Sequence, residues 1–95
     1  MTRFTKLNYC VYVLISLADH SFYVGFTDNL KRRLTQHFHG QSRATAPRRP
    51  FRLVHCEYYL ARADAERREK YLKSAKARRT LRLMLKEGLQ DACLR

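Results

Sequence analysis

Arg33 and His37 stand four residues apart in a segment of helical spacing, so they share the face that also carries Leu30 and Leu34. A permanent guanidinium charge and a titratable imidazole at the border of an apolar stripe make a polar cluster able to bind oxyanions and move protons. Tyr12 and Tyr23 lie in two stretches dense in β-branched and aromatic residues, and hairpin pairing of those stretches brings both hydroxyls to one edge of a sheet. Plainer roles are open to all four: strand tyrosines fill cores, a histidine suits a helix C-terminus, and an arginine can snorkel. Glu69 borders Ala61, Ala65 and Leu72 on a helical wheel and precedes Lys73 by four residues, the order that favours a surface ion pair. A lone carboxylate amid basic side chains is also what Mg²⁺ can use for work on phosphate diesters, because that ion keeps several waters and takes few protein ligands.

The elements that must position these groups follow from the pattern. Residues 9–16 (YCVYVLIS) and 21–26 (SFYVGF) read as paired strands, broken at Asp19 and His20. Thr27 or Asp28 can cap a helix over about 28–39, with Leu30, Leu34 and Phe38 as its apolar stripe and Gly40 to end it. Residues 40–50 (GQSRATAPRRP) suit an exposed, mobile loop that wraps a phosphate backbone, with Arg43, Arg48 and Arg49 as its contacts. Phe51 to Tyr59 reads as a third strand, Ala61 to about Ser74 as a helix, and Ser74 caps a last helix ending near Gly88. The order strand, strand, helix, strand, helix, helix predicts an α+β domain, a small mainly antiparallel three-stranded sheet flanked by helices.

Ninety-five residues with 45% hydrophobic content fill one core, so 1–95 is expected to be a single domain. The apolar run from Tyr9 to Ala18 is shorter than the roughly eighteen residues a membrane span needs. Arg3 and Lys6 before that run could open a secretory leader, but its wealth of Tyr and Val and the missing small-x-small site favour a strand. Cys10, Cys56 and Cys93 are odd in number and show no Cys-x-x-Cys spacing, which speaks against a disulfide framework. Cys10 and Cys56 fall in apolar runs and should pack as small hydrophobes in a reducing, cytoplasmic setting. A zinc site built from His37, His39 and a cysteine is poor, since side chains two apart on a helix diverge. A formal charge of +12 on so small a chain seeks a polyanion, nucleic acid first. Between Arg62 and Lys86 ten Lys and Arg face three acidic residues, a basic surface spread around the helices.

Cys10-Val11-Tyr12, then Tyr23-Val24-Gly25 after ten residues between the tyrosines, followed by Thr27, Asn29-Leu30, Arg33 and His37, resembles the GIY-YIG endonuclease superfamily over about residues 8–85. The likeness is strongest to its small stand-alone bacterial members, in which Gly40, Thr45, Pro50, Leu53 and Arg68-Glu69-Lys70 recur in this order. The resemblance implies metal-dependent hydrolysis of DNA phosphodiesters, in branched, damaged or single-stranded forms, with Mg²⁺ or Mn²⁺ held by Glu69. It assigns Tyr12 to position or deprotonate the attacking water, Tyr23 to assist at nucleophile or phosphate, Arg33 to stabilise the phosphate, and His37 to orient groups or relay a proton. A phenol is a poor base unless a neighbouring cation favours its phenolate, for which Lys31, Lys70 and Lys73 are candidates and further nucleic-acid contacts. Cys10 stands where the family motif has glycine. The late asparagine of some relatives has no counterpart, as only Asn8 and Asn29 occur. So short a chain leaves no room for a second DNA-binding domain, so extra DNA contacts are expected from a protein partner or a homodimer. The competing reading is a non-catalytic nucleic-acid-binding module that keeps the fold and the charge.

Overall fold

The computed structural model describes residues 5–93, and its elements run β1 (Tyr9–Ser16), β2 (Phe22–Thr27), α1 (Leu30–Phe38), β3 (Phe51–Tyr59), α2 (Arg62–Leu72), α3 (Ala75–Met84) and α4 (Lys86–Cys93). Arg3, weighed above as part of a leader, lies outside the described residues, and the apolar run that follows is β1. The sheet has the order β2-β1-β3 with both pairings antiparallel, which makes the protein α+β. No helix is long and apolar enough to cross a membrane among the described residues.

β1 is apolar from Tyr9 to Ile15 because both of its faces are covered. Val11, Val13 and Ile15 pack with Phe22 and Val24 against Ala65 and Leu72 of α2, Ala77 and Leu81 of α3, and Ala92 of α4. Cys10, Tyr12 and Leu14 form the opposite face with Phe51, and α1 closes over them through Leu30 and Leu34. Val13 pairs with His55 and Leu14 with Leu53, so Val54 is an extra residue and β3 bulges there.

Several local expectations are corrected. The helix cap is Asn29, whose side chain accepts from the Arg32 amide at 3.0 Å, rather than Thr27 or Asp28. Thr27 instead accepts from the Asn29 amide and belongs to β2. Gly40 ends α1 as expected: at φ +73° it lets its own amide reach the His37 carbonyl and the Gln41 amide reach the Gln36 carbonyl. Phe38 is 47% exposed despite its spacing, because His37, one position earlier, takes the inward place in the last turn.

Residues 40–50 form a folded strap in place of an exposed loop. Ser42 and Thr45 are buried, and a 3₁₀ turn spans Ala46–Arg48. Cys56 is exposed, since the edge strand β3 is not covered at that point, whereas Cys10 on the central strand is buried. α3 is capped by Ser74 as expected but stops at Met84. α4 then passes through Gly88, so glycine there is no stop signal; the break falls at Leu85, where packing of Leu85 and Leu89 on the core redirects the chain.

Candidate active site

The α1 face of the sheet is built around Tyr12. Its cross-strand partner is Gly25, and a Cβ at Gly25 would overlap the Tyr12 ring, so the glycine exists to let that ring lie flat across β2. Tyr23 pairs with Leu14, which puts it on the same face one step along, and the two tyrosine rings are 6.3 Å apart. α1 brings His37 down onto both, its ring centroid 5.7 Å from Tyr12 and 5.1 Å from Tyr23.

Tyr12 and His37 are fully buried and joined by a 2.8 Å hydrogen bond between the phenol oxygen and Nε2. The other ring nitrogen, Nδ1, meets the Thr45 hydroxyl at 2.7 Å, so the strap supplies the third member of a buried chain. Arg33, half-buried, lies beside both phenols and is braced by donation from Nη1 to Gln36 Oε1 at 2.9 Å. Burial opposes the Arg33 charge, and the Tyr12 and Tyr23 oxygens more than restore it, raising its pKa.

Burial and then the neighbouring Tyr23 push the Tyr12 phenol up to about 12, against a downward pull from Arg33; the Glu69 carboxylate adds to the rise. The cation acting on Tyr12 is therefore Arg33, where Lys31, Lys70 and Lys73 had been candidates. Burial and the Arg33 charge bring His37 down to about 4, so its ring is neutral at physiological pH. This removes the plain reading of His37 as a helix-terminal cation.

Glu69 projects from α2, whose Ala65 and Leu72 pack on the opposite face of the sheet, yet its field reaches Tyr12. Its Oε2 also pairs with Lys73 Nζ at 3.2 Å, with Lys73 51% exposed and Glu69 24%. Both readings of Glu69 thus coexist, since so exposed an ammonium leaves the pair at little cost.

Among the described residues no three His, Cys, Asp or Glu side chains converge. The donor on offer is one partly exposed carboxylate, Glu69, and Mg²⁺ or Mn²⁺, which take oxygen ligands and fill the rest of their shell with water and phosphate oxygens, are the ions such a donor suits.

The expected nucleic-acid contacts sort differently. Lys31, Arg43, Arg49 and Lys70 are exposed. Arg49 folds back to the Ala46 carbonyl at 3.0 Å. Arg48 is tied to Ser21, to the Phe22 carbonyl at 3.2 Å and to Asp19 at 3.8 Å, and lies over the Phe51 ring. It holds the strap to the β1–β2 turn. Asn29 is used as the α1 cap. A groove of about 540 Å³ lined by Phe38, Ala46, Arg49, Pro50 and Phe51 contains none of the five candidate residues. Tyr23, Arg33 and Glu69 are instead each partly exposed, which suits a polymer backbone better than a small enclosed ligand.

Sequence reasoning missed the bond from Thr45 to His37 and the brace from Gln36 to Arg33. Nothing in the spacing of Thr45, eight residues beyond His37 in an arginine-bearing segment, signals that it is buried.

Residues 8–82 match the GIY-YIG catalytic domain. A UPF0213 protein of Clostridium perfringens is 33% identical over 90% of each chain, and one of Limosilactobacillus reuteri is 36% identical over 92% of this chain and 93% of its own. The solution structure of a UPF0213 protein from Bacillus halodurans is 32% identical, with a TM-score of 0.52 over 80% of this chain and 83% of that one. With a match that runs from just before β1 into α3 and so spans Tyr12 to Glu69, and relatives similar along nearly their whole length, the chain belongs to the GIY-YIG family.

Proposed function

We propose that this domain is a divalent-metal-dependent endonuclease that hydrolyses phosphodiester bonds in DNA in the cytoplasm. The observation that carries the reading is the convergence of Tyr12, Tyr23, Arg33 and His37 on one face, with the Glu69 carboxylate close enough to act on Tyr12. A non-catalytic binder needs only the basic surface and gains nothing from burying a tyrosine–histidine pair behind it.

Exposure divides the roles. Arg33 presents a fork of donors where charge develops on phosphorus, and its bond to Gln36 limits the rotamers it must give up on binding. Tyr23 is the phenol that a bound strand meets, while Tyr12, fully buried and with its phenol pushed up to about 12, stays protonated and orients a water or phosphate oxygen as a donor. His37, neutral, holds the Tyr12 oxygen in place. Glu69 would hold Mg²⁺ or Mn²⁺, which lowers the pKa of bound water and neutralises phosphate charge. Once Glu69 is so engaged, Lys73 is free to turn to the nucleic-acid backbone.

The test is a cleavage screen with Mg²⁺ or Mn²⁺ over duplex, nicked, flap, junction and single-stranded DNA, run beside Glu69→Gln. The exposed pair with Lys73 is worth about 0.3–0.5 kcal/mol, so the variant should fold, bind DNA as well or better without metal, and fail to cut. A Glu69→Gln protein that cuts at the parental rate, or a parent that binds every substrate and cuts none, overturns the proposal.

A further inference from the structure

The groove of about 540 Å³ where the end of α1 meets the strap has no part in the site described so far. Phe51 is buried at its base, and Phe38 is 47% exposed at its side, a large aromatic left in water beside an apolar hollow. Arg49 adds a fixed cation. Its Nε donates to the Ala46 carbonyl at 3.0 Å, and its guanidinium lies against Gly40, where a Cβ would come within 2.6 Å of Cζ. Glycine at position 40 therefore leaves room for the guanidinium as well as ending α1. Held at both places, Arg49 keeps two Nη groups with no acceptor among the described residues, donors whose rotamer freedom is lost before any ligand arrives.

An aromatic hollow with a cationic fork at its rim fits a flat ring that carries acceptors on its edge and an anion on its tail. An unpaired nucleobase is such a ligand, since it stacks on aromatic side chains and guanidinium planes while its edge and its phosphate accept from arginine. The volume lies in the range of pockets that hold small organic ligands, which leaves room for one nucleotide. Charge favours this occupant over an apolar peptide: the chain stands at +12, and Arg43 is exposed on the same strap. The groove is also joined to the site by packing. Phe51 belongs to the buried cluster of Tyr12, and Phe38 follows His37 in the last turn of α1.

We propose that this groove holds one unpaired nucleobase, stacked on Phe38 and met by Arg49, so that the domain prefers nucleic acid with an unpaired nucleotide to a fully paired duplex. A base inside a duplex has both faces stacked and its pairing edge engaged, and reaches such a groove only after the cost of leaving the helix. The consequence for cleavage rests on the nuclease reading; the binding of the base does not.

The experiment compares a thymidine pentamer with a pentamer of the same phosphate count whose sugars carry no bases, each titrated into the metal-free chain and followed by the NMR signals of the Phe38 ring and Arg49 Nε. Backbone attraction is the same for both, so the difference in affinity reads the bases. The base-bearing pentamer should bind the parent about fivefold or more tightly and shift both signals. Phe38→Ala should lose most of that advantage at an unchanged melting temperature, because the ring is already half in water, and Phe38→Tyr should restore it. Equal binding of the two pentamers, groove signals that stay still, or an undiminished advantage in Phe38→Ala overturns the proposal. Groove signals that move only when the chain alone is concentrated assign the groove to a second copy and overturn it as well. With Mg²⁺, the parent should cut a duplex holding one bulged nucleotide faster than the fully paired duplex, and Phe38→Ala should lose this preference. A parent that cuts no DNA overturns the nuclease reading and leaves the groove decided by the pentamers.

Discussion

Glu57 on β3 is the anchor that holds α2, and therefore Glu69, in place. Its carboxylate receives Arg68 Nε at 2.8 Å and Nη2 at 3.1 Å, His55 Nε2 at 2.8 Å and the Tyr59 hydroxyl at 2.6 Å. Burial alone would raise its pKa; the Arg68, Tyr59 and His55 donors overcome this and hold it at about 2 against an ordinary 4.5. A carboxylate depressed in the folded state stabilises the fold fully above its unfolded pKa, near 4.5, and loses that contribution as pH falls toward 2.

At about 1.4 kcal/mol per unit, the gap corresponds to a contribution of about 3 kcal/mol at neutral pH, roughly half of which is gone by about pH 3. Glu57 is 18% exposed and Arg68 34%, so Arg68 recovers some hydration when its partner is removed and the measured value should lie near 2 kcal/mol or somewhat above. Urea unfolding of the parent and of Glu57→Gln from pH 7 to pH 3 reads this directly. Acid raises the self-repulsion of a chain already at +12 in both proteins alike, so the difference between them isolates the clamp. That difference should shrink by about half over the range. A gap that stays constant with pH refutes the assignment of the stability to ionised Glu57.

Three further outcomes follow from the charge and the packing of the chain. Nucleic-acid affinity should fall by about three orders of magnitude between 50 and 200 mM salt if six or more phosphates are contacted, and a change of only a few-fold in a filter-binding titration removes the electrostatic account. Arg43→Ala combined with Arg49→Ala should weaken binding at an unchanged melting temperature, whereas Arg48→Ala, which frees the strap from Asp19, Ser21 and Phe22, should cost about 1–2 kcal/mol in a denaturant titration. Gly25→Ala should destabilise by about 1–3 kcal/mol and shift the Tyr12 ring resonances in an NMR spectrum, because the new methyl group and that ring claim the same space; an unperturbed Tyr12 ring would contradict the packing described.

The elements that pack by strong periodicity were legible in the sequence, and those set by tertiary contact were not. β1, β3, the Leu30 and Leu34 stripe, Gly40 as the end of α1 and Ser74 as the cap of α3 all come from local rules that the fold leaves in force. The strap failed those rules. Gly, Ser, Thr, Pro and Arg over residues 40–50 describe a solvated loop by composition, but Ser42 and Thr45 turn inward because Arg48 and the 3₁₀ turn pull the segment onto the sheet. Gly88 misled for the converse reason: a glycine with no positive φ and nothing near it is an ordinary exposed helical residue. Arg33 and His37 were legible as one helix face, but their unequal fates were not, because spacing does not tell which of two border residues is drawn fully inside.

That difference in depth accounts for how so small a domain can hold a polar site at all. Tyr12, His37 and Thr45 satisfy one another in a line, so the buried half carries two hydrogen bonds at no net charge and needs no counter-ion. The charged half, Arg33 and Glu69, stays partly in water, where a phosphate backbone can reach it and where its own desolvation is left until binding. A charge at His37 would break this division, since burial and Arg33 both oppose it. Any step that puts a proton on His37 must therefore be accompanied by negative charge arriving beside it, and Arg33, which acts on both His37 and the two phenols, is the cation placed to receive that charge.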